Sequence, residues 1–262
     1  MAELKIDAVV FDVLGTLVDE PAGLRAGIST FVTPPRPSSS SSASSSSSPS
    51  SSPSPSPSPS LDDSETERLL LLWQRHIERE QRRIVDGDRP YAPSDALDRE
   101  AAGAVARARA AGAEDPAAAD PDAVDSLARA ARRLRPWPDT VAGLARLAGR
   151  FPLIGLSNAS RTALLELNAH AGLRWHQALS AEEARTYKPD PAVYRLAVTV
   201  AGLTPERLLM VAAHAWDLRG AQALGLRTAY VARPVGDPPT SSDRFDLYAK
   251  DLADLAGQLG VV

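Results

Sequence analysis

Four short segments of this chain carry side chains able to do chemistry, and each of the four sits at or near the end of a strand. In the first, Ala8-Val9-Val10-Phe11 ends on Asp12, after which Gly15 and Thr16 turn the backbone away. In the second, Ile154-Gly155-Leu156 ends on Ser157 and Asn158. The third, Thr186-Tyr187-Lys188-Pro189-Asp190-Pro191, is a loop lysine leading into a helix that carries Tyr194. The fourth, Leu209-Met210-Val211-Ala212-Ala213, is followed by His214 and Asp217. An apolar run ending on an acid is how a buried strand delivers a carboxylate to the carboxyl edge of a parallel sheet, where open α/β folds keep their chemistry. Leu14, two residues after Asp12, cannot donate a proton, so the reaction is not one that needs a second carboxylic acid there. Singly, these residues have ordinary explanations as caps, turns or solvated loop positions. Their order, and their common placement after strands, point to one site.

The elements that must position them follow from the hydrophobic pattern. From residue 139 onward helices and strands alternate: helix 139–149, strand 151–157, helix 160–171, a short strand 177–180 and helix 191–201. Strand 208–213, helix 216–224, strand 227–232 and a last helix over 250–259 complete the series. Such alternation predicts a parallel sheet with helices on both faces. Between the first strand and this series lies a helical block. Leu69, Leu70, Trp73 and Ile77 fall at helical spacing within 61–85, and two Ala/Arg-rich stretches follow at 94–112 and 119–134, with Pro116 and Pro121 marking the break. This block is expected to form a cap over the carboxyl edge. The expected division is a core of 1–20 and 136–262 and a cap of 21–37 and 61–135. Residues 38–60 are Ser and Pro apart from Ala43, a composition with nothing to bury, and read as a disordered insertion. A tolerated loop is the simpler explanation of that tract, and a phosphorylated or partner-binding segment the other.

Composition narrows the function. The 262 residues are 44% hydrophobic and 24% charged, ordinary for a globular protein. A net charge of −4 argues against a nucleic-acid footprint, and the absence of cysteine excludes disulfides, thiolate catalysis and zinc-thiolate sites. The N-terminus enters a strand almost at once and does not read as a signal peptide, and no run reaches the roughly 20 apolar residues of a membrane span. A cytoplasmic protein is the expectation.

The motifs Phe11-Asp12-Val13-Leu14-Gly15-Thr16-Leu17, Leu156-Ser157-Asn158, Tyr187-Lys188-Pro189-Asp190-Pro191 with Val193-Tyr194, and Ala215-Trp216-Asp217 resemble those of the haloacid dehalogenase superfamily, in its (S)-2-haloacid dehalogenase-like branch. The resemblance covers the chain outside the Ser/Pro tract. It implies a Rossmann-like core with a helical cap, a small 2-haloacid as substrate, no cofactor and no metal. Asp12 would be the nucleophile, forming an aspartyl ester that water then hydrolyses. Lys188 would keep Asp12 ionised, and Thr16 would hydrogen-bond its carboxylate. Ser157 and Asn158 would receive the substrate carboxylate, Tyr194 would line the pocket, and Asp217 would orient or deprotonate the water. A homodimer is compatible with the family.

Phosphatases of the superfamily carry an acid where this chain has Leu14, and a Gly-Asp pair whose acid binds magnesium where it has Ala213. A halide leaving group needs no proton, so both substitutions point away from phosphoryl transfer. The branch's usual Ser-Ser-Asn before Ala-Trp-Asp is here Ala212-Ala213-His214, so His214 would position water, act as a base or serve structurally. Relatives carry a halide-binding arginine after the tryptophan matching Trp73; here Gln74 takes that place, with Arg75 next. The alternatives are a magnesium-dependent phosphatase using Asp12 and Asp217, and a non-catalytic binding protein. Trp137 is expected at a hinge or interface and Trp175 in core or interface. His170 and His176 are expected at the surface, and the charged residues from Arg75 to Arg83 on a solvated helix face.

Overall fold

The structure, a computed structural model, describes residues 4–32, 61–111 and 120–261. The Ser/Pro tract and Pro116 lie outside the described residues. Strand β1 (Ala8–Phe11) is apolar and almost wholly excluded from water, as a strand covered on both faces must be. It lies between β2 (Leu153–Ser157) and β4 (Leu208–Ala212), with Val10 opposite both Ile154 and Met210. Outside these lie β3 (Gln177–Ser180), β5 (Arg227–Val231) and β6 (Leu247–Ala249). All pairs are parallel, in the order β3-β2-β1-β4-β5-β6. The chain runs outward from β1 in one direction and then from β4 in the other, so a crevice opens above the carboxyl ends of β1 and β4.

Strand alternation builds two cores. Val9, Phe11, Leu209 and Val211 face the helices α5 (Thr140–Ala148), α6 (Arg161–Ala171) and α9 (Leu252–Gln258). Ala8, Val10, Met210 and Ala212 face α7 (Pro191–Ala201) and α8 (Ala215–Ala223). Gly155 is small because Trp175 lies over it: a Cβ there would sit 2.9 Å from the indole ring, which also tilts against Phe11. Trp175 is therefore a core residue.

The helical block between β1 and β2 has its own core. Helices α1 (Glu20–Val32), α2 (Leu61–Val85), α3 (Ser94–Ala110) and α4 (Pro121–Ala128) enclose Leu24, Ile28, Leu69, Trp73 and Val105. Ile84 and Leu97, at the core-facing ends of α2 and α3, join the sheet's second cluster and seat the cap on the core. Three details differ from the sequence reading. Helix α1, buried through Leu24, Ile28 and Val32, precedes the helices expected there. The stretch 119–134 is α4 followed by a separate 3-10 turn at Ala130–Arg133. The three-residue β6 was not expected, because so short an edge strand leaves almost no pattern.

Candidate active site

Asp12 continues the β1 ladder by one hydrogen bond, its N–H donating to Val211 O at 3.0 Å, which fixes its height above the sheet. Gly15 then takes a φ of +75°, and a Cβ there would lie 2.6 Å from His214 Nε2. Both the left-handed backbone and the close approach require glycine. The turn returns Thr16 beneath Asp12, where its hydroxyl donates to Asp12 Oδ2 at 2.6 Å and accepts the Ala213 N–H at 2.9 Å.

Lys188 is placed by the loop before α7. Asp190 caps that helix by accepting the Ala192 N–H at 2.8 Å, and Pro191 occupies its first turn. Tyr187 is buried and donates to Ala92 O at 2.7 Å, tying this loop to the segment before α3. The Lys188 ammonium thereby enters the crevice, with 1% of its side chain exposed, and donates to Asp12 Oδ1 at 2.9 Å and Asp217 Oδ2 at 2.8 Å. The second oxygen of Asp217 accepts the Tyr194 hydroxyl at 2.7 Å. Tyr194 reaches this position because residue 220 has no side chain; a Cβ there would lie 2.5 Å from its oxygen.

Two carboxylates and one ammonium thus share a buried space. Burial works against the Lys188 charge, but Asp12 and Asp217 outweigh it and hold its pKa above the ordinary lysine value. Burial pushes the Asp217 carboxyl up, Lys188 pulls it back, and the charge of Asp12 adds to the rise. Burial followed by Asp217 raises Tyr194, which remains a donor. The arrangement presents Asp12 as an anchored, partly accessible carboxylate whose neighbours neutralise charge around it.

Asn158 is engaged within the protein. Its Oδ1 accepts the Lys188 N–H at 2.9 Å and its Nδ2 donates to Gln81 Oε1 at 3.2 Å, so its amide joins the lysine loop to α2. Ser157 accepts the Ala159 N–H at 3.1 Å, while its hydroxyl hydrogen has no acceptor among the described residues. His214 Nε2 lies 3.2 Å from Leu14 O, a contact that, with the hydrogen on Nε2, ties the histidine to the loop after Asp12. The Leu14 side chain packs on the first hydrophobic cluster.

On the cap, the two candidate halide residues part company. Gln74 is partly buried and lies seven residues, about two turns, from Gln81 on one helix face. Arg75 is exposed and groups with Glu78, Arg79 and Arg82 on the outer face, so the structure does not bring it to the site. Glu80 corrects the expectation of a wholly solvated charged face. It is buried and accepts from Arg79 at 2.9 Å, Arg83 at 3.0 Å and Arg89 at 2.7 Å. Burial opposes its charge, but these arginines win and bring it down to about 2.

Three residues of the site region went unread in the sequence. Gln81 was one of several polar residues on a charged helix, and Trp137, expected at a hinge, donates to Gly15 O at 3.0 Å. Glu20, partly buried, is pushed up to about 7 by burial, with His214 lowering and Asp12 raising it. None of the three carried a signal beforehand, since helix α1, which Glu20 begins, was itself not expected.

The comparisons with known proteins agree with this geometry. Residues 6–225 match the family model described as haloacid dehalogenase-like hydrolase. An (S)-2-haloacid dehalogenase of Pseudomonas putida is 34% identical over 119 residues, covering 44% of this chain and 53% of that protein. One from Xanthobacter autotrophicus is 38% identical over 109 residues, 41% of this chain and 43% of that protein. The chain thus spans about half the length of the curated relatives it matches. A solved L-2-haloacid dehalogenase is 31% identical, with a TM-score of 0.76, over 98% of this chain and all 100% of the other. With a family match over most of its length, together with the sheet order and the anchored Asp12, the chain belongs to the haloacid dehalogenase-like hydrolases.

Proposed function

We propose that the protein is a hydrolytic dehalogenase of small 2-haloalkanoic acids that works through an ester on Asp12. The observation that carries this reading is the Asp12 carboxylate, held by Thr16 and Lys188 in a site where residue 14 is leucine. Such a site suits a leaving group that departs without a proton. In the first step an Asp12 oxygen attacks C2, the carbon–halogen bond breaks with inversion, and halide leaves with the bonding pair. In the second, water adds to the Asp12 carbonyl carbon and the ester C–O bond breaks, restoring Asp12 and releasing a 2-hydroxy acid, with one proton lost to solvent.

Lys188 offsets charge as Asp12 reacts and as the oxyanion develops during hydrolysis. Asp217 and Tyr194 keep Lys188 charged and fixed. Asp217 already accepts from both, so its remaining lone pairs orient the water. The free hydroxyl hydrogen of Ser157 receives the substrate carboxylate, and Asn158 serves by holding the Lys188 loop. Gln74 would offer an uncharged hydrogen bond to the halide. The same reading takes 1–20 and 136–262 as core and 21–37 and 61–135 as cap, in a cytoplasmic protein able to form homodimers. No described helix is long and apolar enough to cross a membrane.

The test is chloride or bromide release from a panel of 2-haloacids, with hydrolysis in ¹⁸O-water placing label first in Asp12. Absence of halide from every member of the panel would overturn the activity.

A further inference from the structure

Three consecutive carbonyls of the nucleophile loop are each held from outside it. Trp137 Nε1 donates to Gly15 O at 3.0 Å, Arg233 Nε to Thr16 O at 2.8 Å, and Thr140 Oγ1 to Leu17 O at 2.8 Å. Trp137 N adds a second bond to Leu17 O at 3.0 Å. The arginine is the member of this set that comes from the far side of the sheet, just beyond β5. Its side chain is 5% exposed, its Nη1 pairs with Asp139 Oδ1 at 2.8 Å, and its guanidinium lies 5.9 Å from the centre of the Trp137 ring. Asp139 in turn accepts the Leu252 N–H at 2.8 Å, anchoring the pair to the start of α9.

One feature of Arg233 does not suit a purely structural ion pair. Its Nη2 is buried and has no partner among the described residues, which costs stability. A side chain chosen only to neutralise Asp139 would gain by satisfying that nitrogen. What the guanidinium gains in this pose is the Nε contact to Thr16, the residue whose hydroxyl sits 2.6 Å from Asp12 Oδ2. We propose that Arg233 is a positioning residue for the nucleophile. By fixing the Thr16 carbonyl it fixes the Thr16 hydroxyl, and through it the rotation of the Asp12 carboxylate against Lys188. Lysine cannot replace it, because one ammonium on a flexible stem lacks the planar fork that reaches Thr16 and Asp139 together.

The inference rests on Asp12 as nucleophile, so its test reads Asp12 directly. Iodoacetamide is uncharged, and no cysteine competes for it in this chain. The rate of iodide release, with any surviving ester mapped to Asp12 by peptide mass, therefore reports alkylation of the carboxylate and how well it is aligned, without any demand on the substrate. Arg233→Met is expected to slow alkylation about 10- to 100-fold, the scale of a displacement near 1 Å in a reacting group. Arg233→Lys is expected to be nearly as slow, and Thr16→Val combined with Arg233→Met no slower than Thr16→Val alone. With a 2-haloacid turned over, kcat should fall while KM changes less than about threefold. Asp139→Asn, which keeps the Nε contact, is expected to lower Tm and leave the alkylation rate within threefold.

Equal rates for folded Arg233→Met and wild type would overturn the positioning role and leave the proposed function standing. So would additive effects in the double variant. A wild type that gives neither iodide release nor an Asp12 adduct would overturn both.

Discussion

Two surfaces meet above Asp12, and they differ in how their side chains are held. On the sheet edge, Asp12, Thr16, Lys188, Tyr194 and Asp217 form one continuous hydrogen-bonded set. On the cap, α2 contributes Gln81 to that set through Asn158, while Gln74 makes no hydrogen bond among the described residues and Arg75 faces outward. In a parallel sheet the pairing register fixes both the height and the face of each strand end, so neighbouring termini converge. On a helix, each residue turns the next by about 100°, so one position decides whether a side chain enters the site. In the proposed function, the chemistry is built where geometry tolerates no slip, and substrate choice where a single step changes it.

This contrast can be broken in order of expected effect. The largest is on the sheet edge: Asp12→Asn should abolish ester formation and lower halide release by at least about 10⁴-fold, as removal of a covalent nucleophile does. Residual activity near wild type, with no spontaneous deamidation by mass, would place the nucleophile elsewhere. Next, Lys188→Met should cost about 10²- to 10³-fold in kcat. It should also destabilise by roughly 3–5 kcal/mol in denaturant unfolding, because it strands two buried carboxylates. If the fold keeps its stability, the three-charge cluster is not as tightly coupled as its distances imply.

The cap side should respond more weakly and one residue at a time. Gln74→Arg should raise kcat/KM for 2-chloropropionate about tenfold, since a charged donor binds departing halide better than an amide. Arg75→Ala should change it less than about twofold. The reverse ranking would show that α2 turns on substrate binding. Smallest is the effect of Glu20, whose folded pKa of about 7 lies above its ordinary value of 4.5. The folded protein therefore holds this proton more tightly. Its stabilising contribution is complete below about pH 4.5 and is lost as the pH rises through 7. Glu20→Gln and wild type should melt together at low pH, below 4.5, and separate by several degrees at pH 8, the variant being the more stable. Identical melting at both pH values would mean that Glu20 is not enclosed as described.

Much of the sheet edge was legible beforehand because its residues announce themselves locally. An apolar run that stops at Asp12, or a Lys-Pro-Asp-Pro loop before a helix, marks a strand end or a helix start from a few neighbours. Asn158 shows where that ends: its position was readable, but its amide serves the Lys188 loop and Gln81. Glu80 reads as one more charge on a polar helix, and only the arrival of Arg89 from beyond the helix makes it a buried anchor. Trp137 and Arg233 carry no local sign of their task, because the carbonyls they hold lie more than a hundred residues away in the chain.

By itself, then, the sequence determined the strand–helix order apart from α1 and β6, the cap between the first two strands, and the identities of Asp12, Thr16, Lys188 and Asp217 as candidates. These rest on periodicity and turn chemistry, which act over a few residues. The tertiary structure alone decided that one ammonium bridges both carboxylates and that the Asn158 amide joins the Lys188 loop to Gln81. It also decided that Gln74 is partly buried while Arg75 is exposed, and that Arg233 reaches Thr16. Those facts depend on the rotation of packed helices and on contacts between distant segments, which no local pattern encodes.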